Sequence, residues 1–581
     1  FDVEEFGNLS GSVKVQTKKP SKELSGEVYV NMGSFGYKKA GATIGGGNDT
    51  VQVMVTASKE ESDQYEDGDG NTLVQQLANA NTITAYSKNP ELQNQYSDMK
   101  AFEKQTMMVK TNLNLTENQN LEVSYTINES DNILYANSKM DALYDDSNIL
   151  NVKYEARDLS SFSKKLQFKA YTSDVEHPMS TKYRIASDIN TTAGEDSLNE
   201  VISSLTTDVS GAKIINEMEV MNSLVTVGLD SSKRNWDGSY IGYGQNAGIT
   251  GRKSIDDVDT TNNAIFMKAQ HNYGKTTIEL GARYNDSTIS TAKPNYADRD
   301  FNSLDLNLVA SYKTDSNAKY FVAIGKASRV PDARELYFNS SINVMSGTPT
   351  LDQTTNTEID LGVQKSYENG MVKAKAFYSS LDNYIYFNKG NTLTNAMGIS
   401  AYNSFENIDA TIYGIELSSE YDMTENLFMD FSAAYTRGKK DRALTSTNYA
   451  ADGTTVISIT QQTDKDLADI TPLKANIGFN YIPDVTLKTR FEVVAAKSWD
   501  NYDADNGEQQ LPGYAVVNMK AQKTFAKNFE LTVGVDNVFD TTYAVSNTYA
   551  DLKLLSNGTT GDVMLLNEPG RYIYTQLKYT F

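Results

Sequence analysis

The chain closes on RYIYTQLKYTF (571–581), a stretch in which the side chains alternate in kind. Successive side chains of an extended backbone point to opposite faces. Ile573, Thr575, Leu577, Tyr579 and Phe581 therefore share one face, and Tyr572, Tyr574, Gln576, Lys578 and Thr580 share the other. The same period of two recurs in Ile477, Phe479 and Tyr481, in Leu427, Met429, Phe431, Ala433 and Tyr435, and in Ile278, Leu280, Ala282 and Tyr284. Each set is interleaved with smaller or polar residues, which is the pattern of two-faced strands of similar length.

The spacing between these strands carries the next step. Short polar turns are expected at 46–50, 116–120, 161–165, 220–223, 272–276, 314–318, 367–371, 422–426, 482–486 and 526–530. Long connections rich in Asn, Asp, Ser, Thr and Gly are expected at 59–105, 176–210, 232–261, 328–355, 381–409, 438–467 and 541–570. Short and long connections alternate. A water-soluble sandwich has no reason to make that division, whereas an outer-membrane barrel joins its strands by short periplasmic turns and long extracellular loops. Ten such turns imply eleven hairpins and about twenty-two strands. The expected fold is all-β, a large antiparallel transmembrane β-barrel in which the last strand pairs with the first, because an edge left open in lipid finds no water to satisfy it. Phe581 would then end the chain at the periplasmic rim, and a lumen so wide would need filling.

Composition removes competing classes. The chain has 581 residues, and since a closed barrel can exceed the usual domain size, length does not fix the number of domains. Formal net charge is −22, which repels nucleic acid and makes a cation the more natural electrostatic partner. Cysteine is absent, so the segment contains neither a disulfide framework nor a thiolate metal site. No stretch approaches the ~20 apolar residues of a membrane-spanning helix, and mean hydropathy is −0.49. No secretory signal precedes FDVEEFGNLSGSVKVQTKKP, so a mature or trimmed chain is expected. The 36 Tyr, against two Trp, are expected to supply the aromatic girdles at the membrane faces.

Several stretches resemble one family. DNVFDTTYA (536–544) with EPGRYIYTQLKYTF (568–581) resembles the closing strands of TonB-dependent outer-membrane receptors. FGNLSGSVKVQTKKP (6–20) is similar to the end of their plug domain, and SRVPDARELYF (328–338) with GTPTLDQTTNTEIDLGV (347–363) to their mid-barrel signature. The resemblance implies a 22-stranded barrel spanning residues 21–581, with residues 1–20 as the C-terminal remnant of the plug. It further implies a monomer in the outer membrane, with transport energised by the inner-membrane TonB complex. The TonB-contacting segment would lie upstream of Phe1.

For the ligand, the run KMDALYDDSNILNVKYEARDLSSFSKKLQFKAYTSDVEHPMS (139–180) resembles the copper-receptor branch, in which an H-x-M pair on the barrel works with a Cys and a Met of the plug. His177 and Met179 match that pair. Residues i and i+2 of an extended segment point to one side, a thioether favours Cu(I), and imidazole accepts several transition metals. Pro178 cannot donate to a ladder, which puts the pair where the seventh strand runs out into its extracellular loop. Copper ion is thus the expected cargo and no catalytic cofactor is expected. Siderophore iron, corrinoids, haem and other organic ligands of the same family stay open.

Other candidates fit ordinary roles better. In EDGDGNT (66–72), Asp67, Asp69 and Asn71 have calcium-loop spacing, but Thr72 replaces the turn glycine and Ala78 stands where a bidentate Glu belongs, so a plain Asp/Gly loop is expected. Met107, Met108, Met218 and Met221 are expected to pack or to face lipid rather than to extend a copper path. His271 belongs at the end of the barrel opposite His177. Arg329, Pro331, Arg334 and Glu335 read as a satisfied charge cluster, with plug contact or ligand passage as the functional reading. Enzymatic hydrolysis is not expected, because neither of the two histidines has a nucleophile context. A passive porin is disfavoured by the plug-like start.

Overall fold

The computed structural model describes residues 1–83, 91–135, 138, 140–187, 199–339, 347–395, 398–402, 404–545 and 566–581. Among these residues, 24 strands hydrogen-bond into one sheet. Two of them, Asp141–Tyr144 and Met179–Ser180, are short pieces above the rim, which leaves 22 wall strands, all antiparallel. The wall closes on itself. Its first strand, Ser25–Gly33, pairs with its last, Tyr572–Thr580, from Glu27 opposite Thr580 to Gly33 opposite Tyr574. Closure is what lipid demands, since every backbone N–H and C=O of the wall must find a partner within the ring.

Alternation sets the two faces. Leu427, Met429 and Phe431 lie directly opposite Tyr481, Phe479 and Ile477, so two of the sets read from sequence are neighbours on one outer surface. Outward apolar residues stay open to the surroundings, Leu280 at 54% and Ile415 at 60% of full exposure. Inward positions are polar and buried: Arg283 bonds Asp230, Asn262 and Asn285, and Asn285 passes the network to Asp305. An apolar outside around a polar inside is the inverse of a soluble protein and fits a wall bathed in lipid.

Tyrosine marks both edges of that wall. Tyr273, Tyr312, Tyr320, Tyr367, Tyr421 and Tyr481 are exposed near the short turns, and Tyr284, Tyr378, Tyr413 and Tyr435 are exposed further along the strands. On the strand Ser404–Thr424, Tyr413 and Tyr421 bracket the outward Ile415 and Leu417. Eight residues at ~3.3 Å each, tilted by about 40°, rise roughly 20 Å, close to the height of an outer-membrane apolar band.

All the short turns expected from sequence join consecutive wall strands. The long connections needed correction. Residues within 232–261 and 381–409 continue as strand, in Ser223–Gly242, Lys253–Tyr273, Gly370–Asn388 and Ser404–Thr424. These extensions stand above the apolar band, where apolar residues such as Ile255, Val258, Leu381, Ile385 and Ile408 turn into local clusters and the period of two fades. Connections at 34–37, 134–145, 292–298 and 497–513 had no sequence counterpart, and the first is as short as a turn. Above the rim, Thr392–Asn395, Gly398–Ala401, Thr445–Tyr449 and Val456–Gln461 form a separate 4-stranded sheet. Parts of the connections 59–105, 176–210, 328–355, 381–409 and 541–570 lie outside the described residues.

Residues 1–20 form neither helix nor strand and run along the inner wall. Val3 is buried, Glu4 pairs with Lys268 at 2.6 Å, and Glu5 pairs with Lys213 at 3.1 Å. Asn356 donates to the Leu9 carbonyl at 2.8 Å, and Lys110 to Thr17 Oγ1 at 2.9 Å. The wall makes room at Gly325, where a Cβ would overlap the Phe1 ring.

Candidate functional site

The seventh wall strand, Ser163–Glu176, ends one residue before His177, where Pro178 breaks its hydrogen bonding. The chain nevertheless holds its register against the next strand, Val201–Val220: Glu176 lies opposite Thr206 and Met179 opposite Ser203. His177 N bridges the gap by donating to the Leu205 carbonyl at 2.9 Å. No residue is inserted, so the side-chain alternation carries through the proline.

That continuity fixes which way the pair faces. Lys169 lies directly opposite Lys213, and Lys213 holds Glu5 inside the lumen. Directly opposed residues share a face. The odd-numbered residues of the seventh strand therefore face the lumen, and His177 and Met179 continue that row at the long-loop mouth. The outward row is carried by Phe168, exposed at 41%.

The segment 134–145 encloses the pair. Asp141–Tyr144 hydrogen-bonds beside Met179–Ser180, with Ala142 opposite Met179 and Asp141 opposite Ser180. Leu143 N donates to the Pro178 carbonyl at 2.9 Å. Asp145 Oδ2 stands 3.3 Å from His177 Nδ1, and the Tyr135 ring meets the imidazole edge-on at 6.1 Å between centroids. The two loops are bolted together by Arg184, whose guanidinium bonds both carboxylate oxygens of Asp141 and the Tyr135 carbonyl. Both partners of that ion pair are fully buried. Burial, then the nearby carboxylates of Asp145 and Asp141, hold the Tyr135 phenol above its ordinary value, so it stays neutral.

Asp145, Asp141, Arg184 and Tyr135 were not singled out from sequence. Both aspartates stand inside the run that carries His177, but no spacing rule connects residues that meet only through cross-strand pairing. Among the described residues, no group of three or more His, Asp or Glu side chains is arranged to hold a metal ion.

The other candidates separate cleanly. Asp67 Oδ1 accepts from Asp69 N and Asn71 N, and its Oδ2 accepts from Asn567 Nδ2 at 2.8 Å, so this carboxylate ties its own turn to the closing loop. Met107 is exposed on the lipid face, Met218 lies opposite the outward Val225, and Met221 sits in a short turn with positive φ. Met108 has the parity of Lys110 and faces the lumen. His271 lies beside the short turns, with Nδ1 2.7 Å from Ser223 Oγ and its ring 4.0 Å from that of Tyr273, at the end of the barrel away from His177.

The mid-barrel signature builds structure at the long-loop end. Arg329 grips Glu335 through two bonds of 2.9 Å. Asp332 and Glu335 form a capping box on the one-turn helix Ala333–Tyr337. Leu336 and Tyr337 pack into an apolar cluster with Ile255, Ile289, Phe301 and Leu351, and Pro331 is buried beside them. Arg334 lies over the Phe338 ring.

Comparison with known proteins places this architecture. The model for the TonB dependent receptor-like β-barrel matches residues 56–538. Among solved structures, copper transporter OprC superposes with a TM-score of 0.76 at 17% identity, covering 97% of this chain and 82% of OprC. The apoprotein form of the FrpB iron transporter from Neisseria meningitidis gives 0.68 at 12% identity, covering 96% and 81%. The siderophore receptor PirA from Acinetobacter baumannii gives 0.68 at 14% identity, covering 97% and 81%. At these identities the likeness is one of fold. No curated protein matches the chain in sequence. With most of its wall strands inside the matched region, the chain belongs to the TonB-dependent receptor-like β-barrel family.

Proposed function

We propose that this chain is an outer-membrane receptor that takes up copper ion with energy from the TonB complex, and that His177 and Met179 are the barrel's first ligands for the ion. The observation that carries the reading is the unbroken register through Pro178, which sets an imidazole and a thioether on one lumen-facing row at the mouth. A thioether is a soft donor suited to Cu(I), and imidazole is a common partner for it. Two donors leave a coordination sphere incomplete, so further ligands come from the plug that would fill the lumen. In this reading residues 1–20 are the end of that plug, docked on the wall by Glu4, Glu5 and Leu9. The short turns face the periplasm, the long loops face outside, and the receptor works as a monomer. Likeness in fold to a copper transporter agrees with this cargo, and likeness in fold to an iron transporter and a siderophore receptor defines the rival reading.

Metal analysis of the full-length protein tests this. Copper is expected to co-purify, and His177→Ala and Met179→Ala are each expected to lower its retention at least tenfold. Equal copper retention in both variants, or selective retention of an iron chelate, overturns the copper reading and leaves the receptor class standing.

A further inference from the structure

The mouth contains one carboxylate whose position the copper reading does not use. Asp145 Oδ2 stands 3.3 Å from His177 Nδ1, with the aspartate and histidine side chains 37% and 27% exposed. Its backbone is not free to drift. Asp145 N donates to the Ser130 carbonyl at 2.9 Å, and Leu143 two residues earlier is tied to Pro178. Four residues earlier, Asp141 is locked by Arg184 in a fully buried pair. Tyr135, held by Asp141 Oδ1 through its backbone N–H at 2.9 Å, sets its ring edge-on to the imidazole. Two loops from different hairpins are thus braced around one ring.

Resting on the reading of His177 as a metal ligand, we infer that Asp145 is a positioning residue, which holds the ring proton on Nδ1 and turns Nε2 toward the ion. An imidazole has one donor and one acceptor nitrogen when neutral, and the partner of one nitrogen decides which nitrogen is left to bind metal. A carboxylate on Nδ1 stabilises the Nδ1–H form electrostatically and makes Nε2 the lone-pair donor. Carboxylate partners of this kind typically change metal affinity by 10–100-fold when removed. Removing Asp145 also removes a negative charge at the mouth, so affinity alone does not separate orientation from simple attraction.

The chain contains only two histidines, which makes the separation practical. In full-length protein with ¹⁵N-labelled histidine, the ring signals lost in His177→Ala and in His271→Ala assign the two rings, and His271, bonded to Ser223, is the internal reference. In the metal-free wild type the His177 ring is expected in the Nδ1–H form. Asp145→Asn is expected to shift it toward the Nε2–H form, and Asp145→Glu to restore it, with the His271 signals constant throughout. In parallel, competition for Cu(I) against bicinchoninate is expected to show a loss of about 10–100-fold in Asp145→Asn, largely recovered in Asp145→Glu. A wild-type ring already in the Nε2–H form, or a tautomer unmoved by Asp145→Asn while the wild type binds Cu(I), overturns the inference and leaves the copper reading intact. Failure of the wild type to bind Cu(I) overturns both.

Discussion

A single buried ion pair decides whether the mouth keeps its shape. Arg184 and Asp141 have no exposed side-chain surface, so removing one partner leaves an uncompensated buried charge, a loss of about 3–5 kcal/mol in comparable cases. Arg184→Met is therefore expected to release segments 134–145 and 177–187 without opening the wall. Hydrogen exchange checks this, with faster exchange confined to those segments and unchanged protection in the strand Ser163–Glu176. At this scale the sequence was partly legible. That His177 and Met179 share a side follows from spacing alone, and Pro178 correctly marked the strand end. Asp145 and Arg184 were illegible, because their meeting depends on which strands pair and in what register, and residues far apart in the chain carry no period linking them.

Between elements, the long-loop connections 441–473 and 497–513 are joined by carboxylates from both sides: Asp505 Oδ2 accepts from Thr463 N and Asp464 N, and Asp464 Oδ2 from Ala504 N. Glu508 Oε1 accepts from Asp469 N at 2.8 Å and Oε2 from Asp503 N at 2.7 Å. Beside it, Asp503 is paired with Lys440 and Tyr386, both through Oδ2 at 2.6 Å. Burial pushes the Glu508 carboxyl up to about 7 from its ordinary 4.5, against the two backbone bonds that pull it down. Burial also raises Asp503, in spite of Lys440. A group that holds its proton more tightly in the closed junction favours closure as pH falls. The junction is thus expected to be firmest toward pH 4.5 and to weaken as pH rises through about 7, by at most about 1.4 kcal/mol per unit for one proton. Glu508→Gln is expected to flatten that dependence. Hydrogen exchange of the two connections at pH 5 and pH 8, corrected for intrinsic rates, reads the effect, and a junction firmer at pH 8 contradicts it. The short turns of the opposite end were legible because polar residues interrupt the apolar period abruptly there. The strands that rise beyond the apolar band were not, because their polar residues meet water while Ile255, Leu381, Ile385 and Ile408 pack against loops, which breaks the alternation that identifies a lipid-facing wall.

For the whole molecule, closure and facing follow from one physical demand. Strands in lipid must satisfy every backbone group within the ring and turn apolar side chains outward. Counting turns was enough to give the strand number, whereas the course of residues 1–20 along the wall rests on separate ion pairs and one glycine gap. No residue of 1–581 is cysteine, so once any cysteine upstream of Phe1 is replaced by serine, single spin labels can be placed by cysteine substitution without background. The most direct test labels positions 166 to 179, one at a time, in the full-length protein in bilayers and measures collision with oxygen, which concentrates in lipid, and with a water-soluble nickel chelate. Oxygen contact is expected to peak at Leu166, Phe168 and Ala170, nickel contact at Gln167, Lys169 and Tyr171, and the labels replacing His177 and Met179 should continue the nickel-accessible row at the mouth. Loss of the period of two, or a label at Met179 that behaves like the one at Phe168, would contradict both the lipid-facing wall and the placement of the metal pair on its inner side.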